Sequence, residues 1–246
     1  LGRTVFLAGA SGAIGRRLAP LLVANQWRVV GSTRSVEKTA MLRELGVEPV
    51  VVDVFDADRL RTILLEIRPE IVVHQLTDLP LGLAADKMTE ALVRNARVRD
   101  EGTRNLVSAA VAAGARRMVA QSIGLVYAEG PRPHGEADRL IAETDSVWGG
   151  TVKGVVSLER QVLQASFEGI VLRYGLLYGP GTGFDSPVAP GSVHVDAAAK
   201  AAELAVNRGE PGIYNIAESD GTIASDKAVR AFGWDANWRA EPGSGL

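Results

Sequence analysis

Residues 4–15 read Thr-Val-Phe-Leu-Ala-Gly-Ala-Ser-Gly-Ala-Ile-Gly, and no other stretch restricts the fold as much. The apolar run from Val5 to Ala8 predicts a short buried strand. Gly9, Gly12 and Gly15 follow it, and an apolar helical pattern then runs through Ile14, Leu18, Leu21 and Leu22. A strand that turns sharply into a helix leaves the first helical N–H groups unpaired and pointing at the turn. Those donors and the helix dipole favour an anion such as a pyrophosphate. In that arrangement Gly9 permits the tight turn, Gly12 lets a phosphate approach the backbone, and Gly15 lets the helix pack on its strand. Ser11 adds a hydroxyl, and Ala13 and Ile14 open the helix within the same cradle. The competing reading is a glycine-rich turn with no ligand. The strand before the motif and the helix after it argue for the dinucleotide.

The rest of the chain continues the alternation. Strands are predicted at 28–32, 47–52, 71–75, 116–120, 169–173 and 212–216. Helices are predicted at 36–45, 57–67, 84–113, 151–166, from 194 to about 207, and at 223–232. Asp56 suits the N-cap of the helix at 57–67, and Asp196 the first turn of the one ending near Asn207. The apolar strands lack a period of two, which predicts an α/β fold with a doubly wound parallel sheet and helices on both faces. Ligands of such sheets bind at the carboxyl ends of the strands. At the end of the second strand stand Ser32, Thr33 and Arg34, with no acid. An acid there binds the ribose 2′-hydroxyl of NAD, whereas an arginine accommodates the 2′-phosphate of NADP. Arg34, with Thr33 as a further donor, therefore points to NADP, with NAD as the other candidate. A solvated arginine at a loop start is the plain alternative.

Several segments recur in order. They are the Gly-x-x-Gly-x-x-Gly loop, Gly102-Thr103-Arg104-Asn105-Leu106, Gln121-Ser122-Ile123-Gly124-Leu125-Val126-Tyr127, Arg173 with Tyr178-Gly179-Pro180, and His194-Val195-Asp196-Ala197-Ala198. As an ordered set they resemble the short-chain dehydrogenase/reductase superfamily in its extended, atypical branch, the NAD-dependent epimerase/dehydratase type. The resemblance covers nearly the whole chain and implies a Rossmann fold. It implies that Asp53 bonds the adenine amino group and that Val54 packs on the ring. It implies that Leu76, Thr77 and Tyr174 line the cofactor and that Ser122 holds a substrate oxygen. It also implies a single domain over 1–246, with a small substrate-binding portion from about 128–150 and 175–246. His74 reads as a packed strand-end histidine. Only residues 182–193 separate the Gly-Pro-Gly turn from the His-Val-Asp helix, where the family usually has several dozen. Either the substrate portion is small or a loop is missing from the sequence.

The superfamily's usual proton donor is Tyr-x-x-x-Lys on one helix face, the lysine lowering the tyrosine pKa. Aligned through Glu159, the tyrosine position holds Thr151 and the lysine position Val155, and Lys153 is two residues off that face. The usual serine position holds Ile123, one residue after Ser122. The candidate catalytic groups are thus Ser122 and Thr151, with Tyr174 or the substrate itself as further proton donors. The expected function is an NAD(P)-binding oxidoreductase, or a nucleotide-sugar epimerase/dehydratase-like protein, with a degenerate catalytic pair and an unknown small-molecule substrate. The alternatives are a non-catalytic NADP-binding sensor and an interface protein whose cofactor is only structural.

With 246 residues and no cysteine, the chain can bury a core without disulfides, and no metal-ligand set is assigned. Its net charge of −2 gives no electrostatic case for nucleic acid or a membrane surface. No apolar run approaches the ~18 residues of a membrane span, and no secretory signal is visible. A cytoplasmic enzyme is the simplest expectation, and a homodimer is compatible with it. Leu1 stands where an initiator methionine is expected, so a few residues are expected to precede it.

Overall fold

The computed structural model describes residues 3–241, so the first two and last five residues of the expected single domain lie outside the described residues. Seven strands form one parallel sheet in the order β3-β2-β1-β4-β5-β6-β9. They are β1 Thr4–Ala8, β2 Arg28–Thr33, β3 Glu48–Val51, β4 Ile71–His74, β5 Arg117–Ile123, β6 Glu168–Tyr174 and β9 Gly212–Ile216. The connecting helices are α1 Ala13–Ala24, α2 Thr39–Glu44, α3 Ala57–Ile67, α4 Ala85–Arg97, α5 Thr103–Ala113, α6 Gly149–Gln164, α7 Val195–Asn207 and α8 Asp226–Phe232. Two short strands, β7 Leu176–Tyr178 and β8 Ser192–His194, pair apart from the main sheet.

The strands are apolar on both faces because each face is covered. One core joins Val5, Leu7, Val29 and Val73 to α1, α7 and α8. The other joins Phe6, Ala8, Val30 and Val72 to α3, α5 and α6. This is the doubly wound Rossmann arrangement expected from the sequence. Chain order reverses direction between β1 and β4, so a crevice opens there at the carboxyl ends of the strands.

Several boundaries differ from the sequence reading. The predicted helix over 84–113 is interrupted by a π-helical turn at Val98–Gly102. The predicted helix over 36–45 splits into a 3-10 turn, Val36–Lys38, and α2. α8 starts at Asp226 rather than Ile223, because the Ser225 hydroxyl is engaged with the backbone of Ala217. Asp56 caps α3 by accepting from the Arg59 amide at 3.0 Å. Asp196 stands in the first turn of α7, as expected, but is not its cap. His194 is the cap, its Nδ1 accepting from the Asp196 amide at 3.1 Å, while the Asp196 carboxylate accepts from the Ala240 amide at 3.2 Å. The short 182–193 segment folds back on itself, with Gly179 N–H donating to Phe184 C=O and Leu176 N–H to Gly191 C=O.

Candidate active site

The crevice is a cleft of about 730 Å³ along the carboxyl ends of β1, β2, β4, β5 and β6. Its floor at β1 is the glycine turn. Gly9 has φ +84°, the left-handed region that favours glycine. Gly12 N–H closes the turn on Gly9 C=O at 3.0 Å, and the first helical bond runs from Arg16 N–H to Gly12 C=O at 3.0 Å. The amides of Ala13, Ile14 and Gly15 therefore lack an intrahelical acceptor, and no side chain caps this end of α1. Gly9, Ser11, Gly12 and Ala13 line the cleft. The side chain of Ile14 is buried in the core. Gly15 does not line the cleft. A Cβ there would sit 2.2 Å from Gly9 C=O, so this glycine exists for close helix–strand packing.

At the β2 end Thr33, Arg34 and Lys38 line the cleft. Thr33 Oγ1 lies 3.3 Å from Ser11 Oγ and accepts from the Ser35 amide at 3.2 Å. Arg34 is half-exposed and meets the Asp78 carboxylate at 3.5 Å. Val54 lines the cleft. Asp53 does not: it is exposed, and its Oδ1 accepts from the Phe55 amide at 3.0 Å in a local turn.

At the β4 end His74 is fully buried. Its Nδ1 accepts from the Leu76 amide at 3.2 Å, so Nε2 carries the proton and donates to Thr103 Oγ1 at 2.9 Å. Burial, reinforced by the Arg99 charge, pushes it down to about 4 and keeps it neutral. Leu76 and Thr77 follow and line the cleft. Gln75 and Tyr174 were not paired in the sequence reading, yet both line this floor, 4% and 1% exposed. By hydrogen-bond geometry the Gln75 amide atoms and the Tyr174 hydroxyl have no partner among the described residues, although Gln75 lies near enough to oppose in part the effect of burial on Tyr174. Burial also pushes the Tyr174 hydroxyl up, so it stays protonated at neutral pH.

Side-chain alternation along β5 decides the fate of the serine. Gln121, Ile123 and Leu125 line the cleft, whereas Ser122 points the other way and is 1% exposed. Its hydroxyl donates to Glu159 Oε1 at 2.8 Å. Glu159 also takes two bonds from Arg173, at 2.8 and 2.7 Å. Arg173 reaches Tyr127 at 2.9 Å, and Tyr127 donates to Asn215 at 2.6 Å. Ser122 is thus a member of a buried network tying β5, α6, β6 and β9 together, with its hydroxyl turned away from the cleft where a catalytic hydroxyl was expected. Thr151 lines the cleft. Val155 is fully buried among Val126 and Val152, and Lys153 faces solvent.

Besides Lys38, two further cations at the cleft escaped the sequence reading. Arg16, on the first turn of α1, has a buried Nε without a partner and stands beside Gly181, where a Cβ would lie 2.5 Å from its Nη2. Arg99, in the π turn, is 5% exposed, and burial lowers it to about 10, opposed by the Glu159 carboxylate. It therefore remains charged at neutral pH. The signal for Arg99 lay in a polar stretch inside a predicted continuous helix, which gave no reason to turn it inward.

An uncapped helix end over a glycine turn, at the switch point of a parallel sheet, defines a dinucleotide-binding Rossmann protein. The orphaned amide and hydroxyl at the floor fit a polar ring substituent of such a cofactor. Residues 5–210 match the NAD dependent epimerase/dehydratase family, and the chain belongs to that family of NAD-dependent oxidoreductase and epimerase enzymes. Among curated proteins it is 43% identical over 182 residues to a Streptomyces protein named 3-diazoavenalumate denitrifying reductase. That match covers 73% of this chain and 58% of the relative. Among solved structures it is similar to the UDP-glucose 4-epimerase of Thermotoga maritima with UDP-glucose. The TM-score is 0.75 at 17% identity, over 95% of this chain and 94% of that one. It is similar too to the Bacillus cereus UDP-glucuronic acid 4-epimerase with UDP-glucuronic acid and NAD. There the TM-score is 0.75 at 16% identity, over 96% and 95%. At such identities these two structures speak for the fold alone. No helix among the described residues is long and apolar enough to cross a membrane.

Proposed function

We propose that this chain is an NAD(P)H-dependent reductase, preferring NADP(H), whose substrate carries a diazo-type electrophile. The observation that carries this reading is the α6 face at the cleft. Thr151 is the hydroxyl there, Val155 follows one turn on, and Ile123 stands opposite on β5. Reduction of a carbonyl builds negative charge on oxygen, and a positioned proton donor usually contributes ~10²–10⁴-fold. A threonine does not ionise at neutral pH, and a valine cannot tune it. An aryldiazonium group needs no proton on oxygen. When bound, the reduced nicotinamide supplies one hydride, which with an aryldiazonium ion yields the arene, dinitrogen and the oxidised cofactor. The name of the Streptomyces relative supports the same chemistry.

The chain's own residues have defined parts in this reading. The α1 amides and Arg16 hold the pyrophosphate. Thr33, Arg34 and Lys38 take the 2′-phosphate. Gln75 and Tyr174 hold the carboxamide of the nicotinamide. Leu76, Ile123 and Leu125 exclude water from the reacting end.

The test follows NADPH consumption and dinitrogen release with an aryldiazonium salt, benzaldehyde and UDP-glucose, against protein-free controls. Protein-dependent consumption with the diazonium salt is expected, changing less than ~tenfold in Thr151→Val. Epimerised UDP-glucose, or carbonyl reduction that collapses in Thr151→Val, overturns the reading. Tight NADPH binding with no turnover on any of them favours the sensor alternative. For the cofactor, Arg34→Ala is expected to weaken NADP binding at least ~tenfold and to leave NAD nearly unchanged. Equal losses for the two nucleotides overturn the NADP preference.

A further inference from the structure

Four cationic side chains line the cleft: Arg16, Arg34, Lys38 and Arg99. Three of them stand where a dinucleotide would be held. Arg16 is on the first turn of α1, and Arg34 and Lys38 follow β2. Arg99 is elsewhere. It sits in the π turn between α4 and α5, and its stem lies against α6. A Cβ on Gly154 would be 3.3 Å from Arg99 Cβ and 3.2 Å from Ala96 Cα, so a side chain there would have to push the arginine's stem or α4 back by a few tenths of an ångström. Gly154 is three residues from Thr151, on the same face of α6. Arg99 therefore borders the reacting end, near the position that the sequence alignment leaves without a lysine.

Arg99 also lacks a partner. Among the described residues its guanidinium makes no hydrogen bond and no salt bridge, although it is 5% exposed. Its nearest counter-charge, Glu159, is engaged through both oxygens by Arg173 and through one by Ser122. Two buried guanidinium groups thus share one carboxylate. The single carboxylate among the cleft-lining residues, Asp78, engages Arg34 at 3.5 Å and Arg94 at 3.6 Å. A buried charge is costly unless it is paired and hydrogen-bonded. A guanidinium held this way offers a ready-made fork for a planar anion.

The surroundings define the rest of the ligand. Leu79, Leu83, Met88, Leu92, Trp148 and Phe184 line the cleft and give it an apolar wall. Gly82 N–H donates to Thr182 C=O at 3.1 Å, joining the two loops that carry this wall. A mostly apolar cleft with one unpaired cation at the reacting end suits an acid with an apolar body.

We propose that Arg99 is the specificity residue of this cleft, and that it binds the carboxylate of a carboxylic acid substrate with an apolar body. The proposal rests on the reading of the cleft as a joint cofactor and substrate site. A phosphate or nucleotide-sugar ligand does not suit the place, since one arginine among leucines gives a pyrophosphate too few donors.

The test compares wild type with Arg99→Met and Arg99→Lys. Isothermal titration measures binding of benzoate and cinnamate, and of their methyl esters, in the presence of NADP. NADP binding itself is titrated separately in each form. Wild type is expected to prefer an acid over its ester by at least ~tenfold. Arg99→Met is expected to lose that preference while NADP affinity stays within ~threefold, and Arg99→Lys to keep part of it. The unchanged NADP affinity also reports that the variant is folded. A wild type without acid preference overturns the proposal, as does a preference that survives in Arg99→Met. A loss of NADP affinity with acid preference retained overturns it too, assigning Arg99 to the cofactor. Failure of wild type to bind NADP, with an Arg99-dependent acid preference intact, sinks the reductase reading and supports the carboxylate site.

Discussion

Ser122 carries a hydroxyl at the place where a catalytic one is sought, and its environment gives that hydroxyl another task. It donates to Glu159 inside the Glu159–Arg173–Tyr127 network, facing away from the cleft. A hydrogen bond to a charged acceptor is worth ~1.5–3 kcal/mol when its loss leaves the partner buried. Ser122→Ala is therefore expected to lower the unfolding free energy by ~1.5–3 kcal/mol in urea melts and to leave turnover unaltered. A folded variant without turnover would return Ser122 to the chemistry. His74 gives a pH signature at the same scale. Its folded value of about 4 lies below the ordinary 6.5, so the unfolded chain takes up a proton first as pH falls. The stability it contributes is present above pH 6.5 and is lost as pH falls toward about 4, by up to ~3 kcal/mol. The difference in urea midpoint between wild type and His74→Gln should narrow over that window. A constant difference would mean that folding leaves the His74 pKa unshifted.

At the scale of elements, the glycine turn and α1 act as a unit in which two glycines have separable duties. Near Gly12 a Cβ would meet only Gly9 C=O, at 3.3 Å, and otherwise face the cleft. Gly12→Val is expected to fold and to lose nucleotide affinity by at least ~tenfold, because the branched chain occupies the phosphate position. At Gly15 the Cβ would collide with backbone at 2.2 Å, which only a shift of α1 can relieve. Gly15→Ala is expected to lower the thermal midpoint as well as affinity. Unchanged affinity in a folded Gly12→Val would place the pyrophosphate elsewhere. The π turn at Val98–Gly102 is the other informative element. It inserts a wider turn between α4 and α5 and so turns Arg99 inward, whereas neighbouring Arg97 pairs with Glu101 at the surface.

For the molecule as a whole, the parallel sheet brings every strand end to one edge. Side chains from Ala8 on β1 to Tyr174 on β6 meet in one cleft, although 166 positions separate them in sequence. The second loop layer, carried by β7, β8 and the contact of Gly82 with Thr182, roofs that edge. Arg16, Arg34 and Lys38 line the cleft from α1 and the segment after β2, whereas Leu79, Leu83, Met88 and Leu92 line it from the segment after β4 and from α4.

Local pattern was enough for much of this. The glycine spacing, the Asp56 cap and the apolar strands without alternation are short-range signals, and they led to the sheet, its helices and the cleft residues of the glycine turn. α3 and β9 were legible to the residue because a cap or a glycine marks their limits. What the sequence left open depends on direction and on distant partners. Whether Ser122 or Ile123 faces the cleft turns on the register of β5, since one residue reverses a side chain. Asp53 turned to its own backbone because a nearby amide competes for a carboxylate at a strand end. The unpaired Arg99, and the orphaned Gln75 and Tyr174 in the same cleft lining, become visible only when helices and strands remote in sequence pack together and leave their polar atoms without hydrogen bonds. Pairing is a property of the packed chain, so only the tertiary structure could decide it.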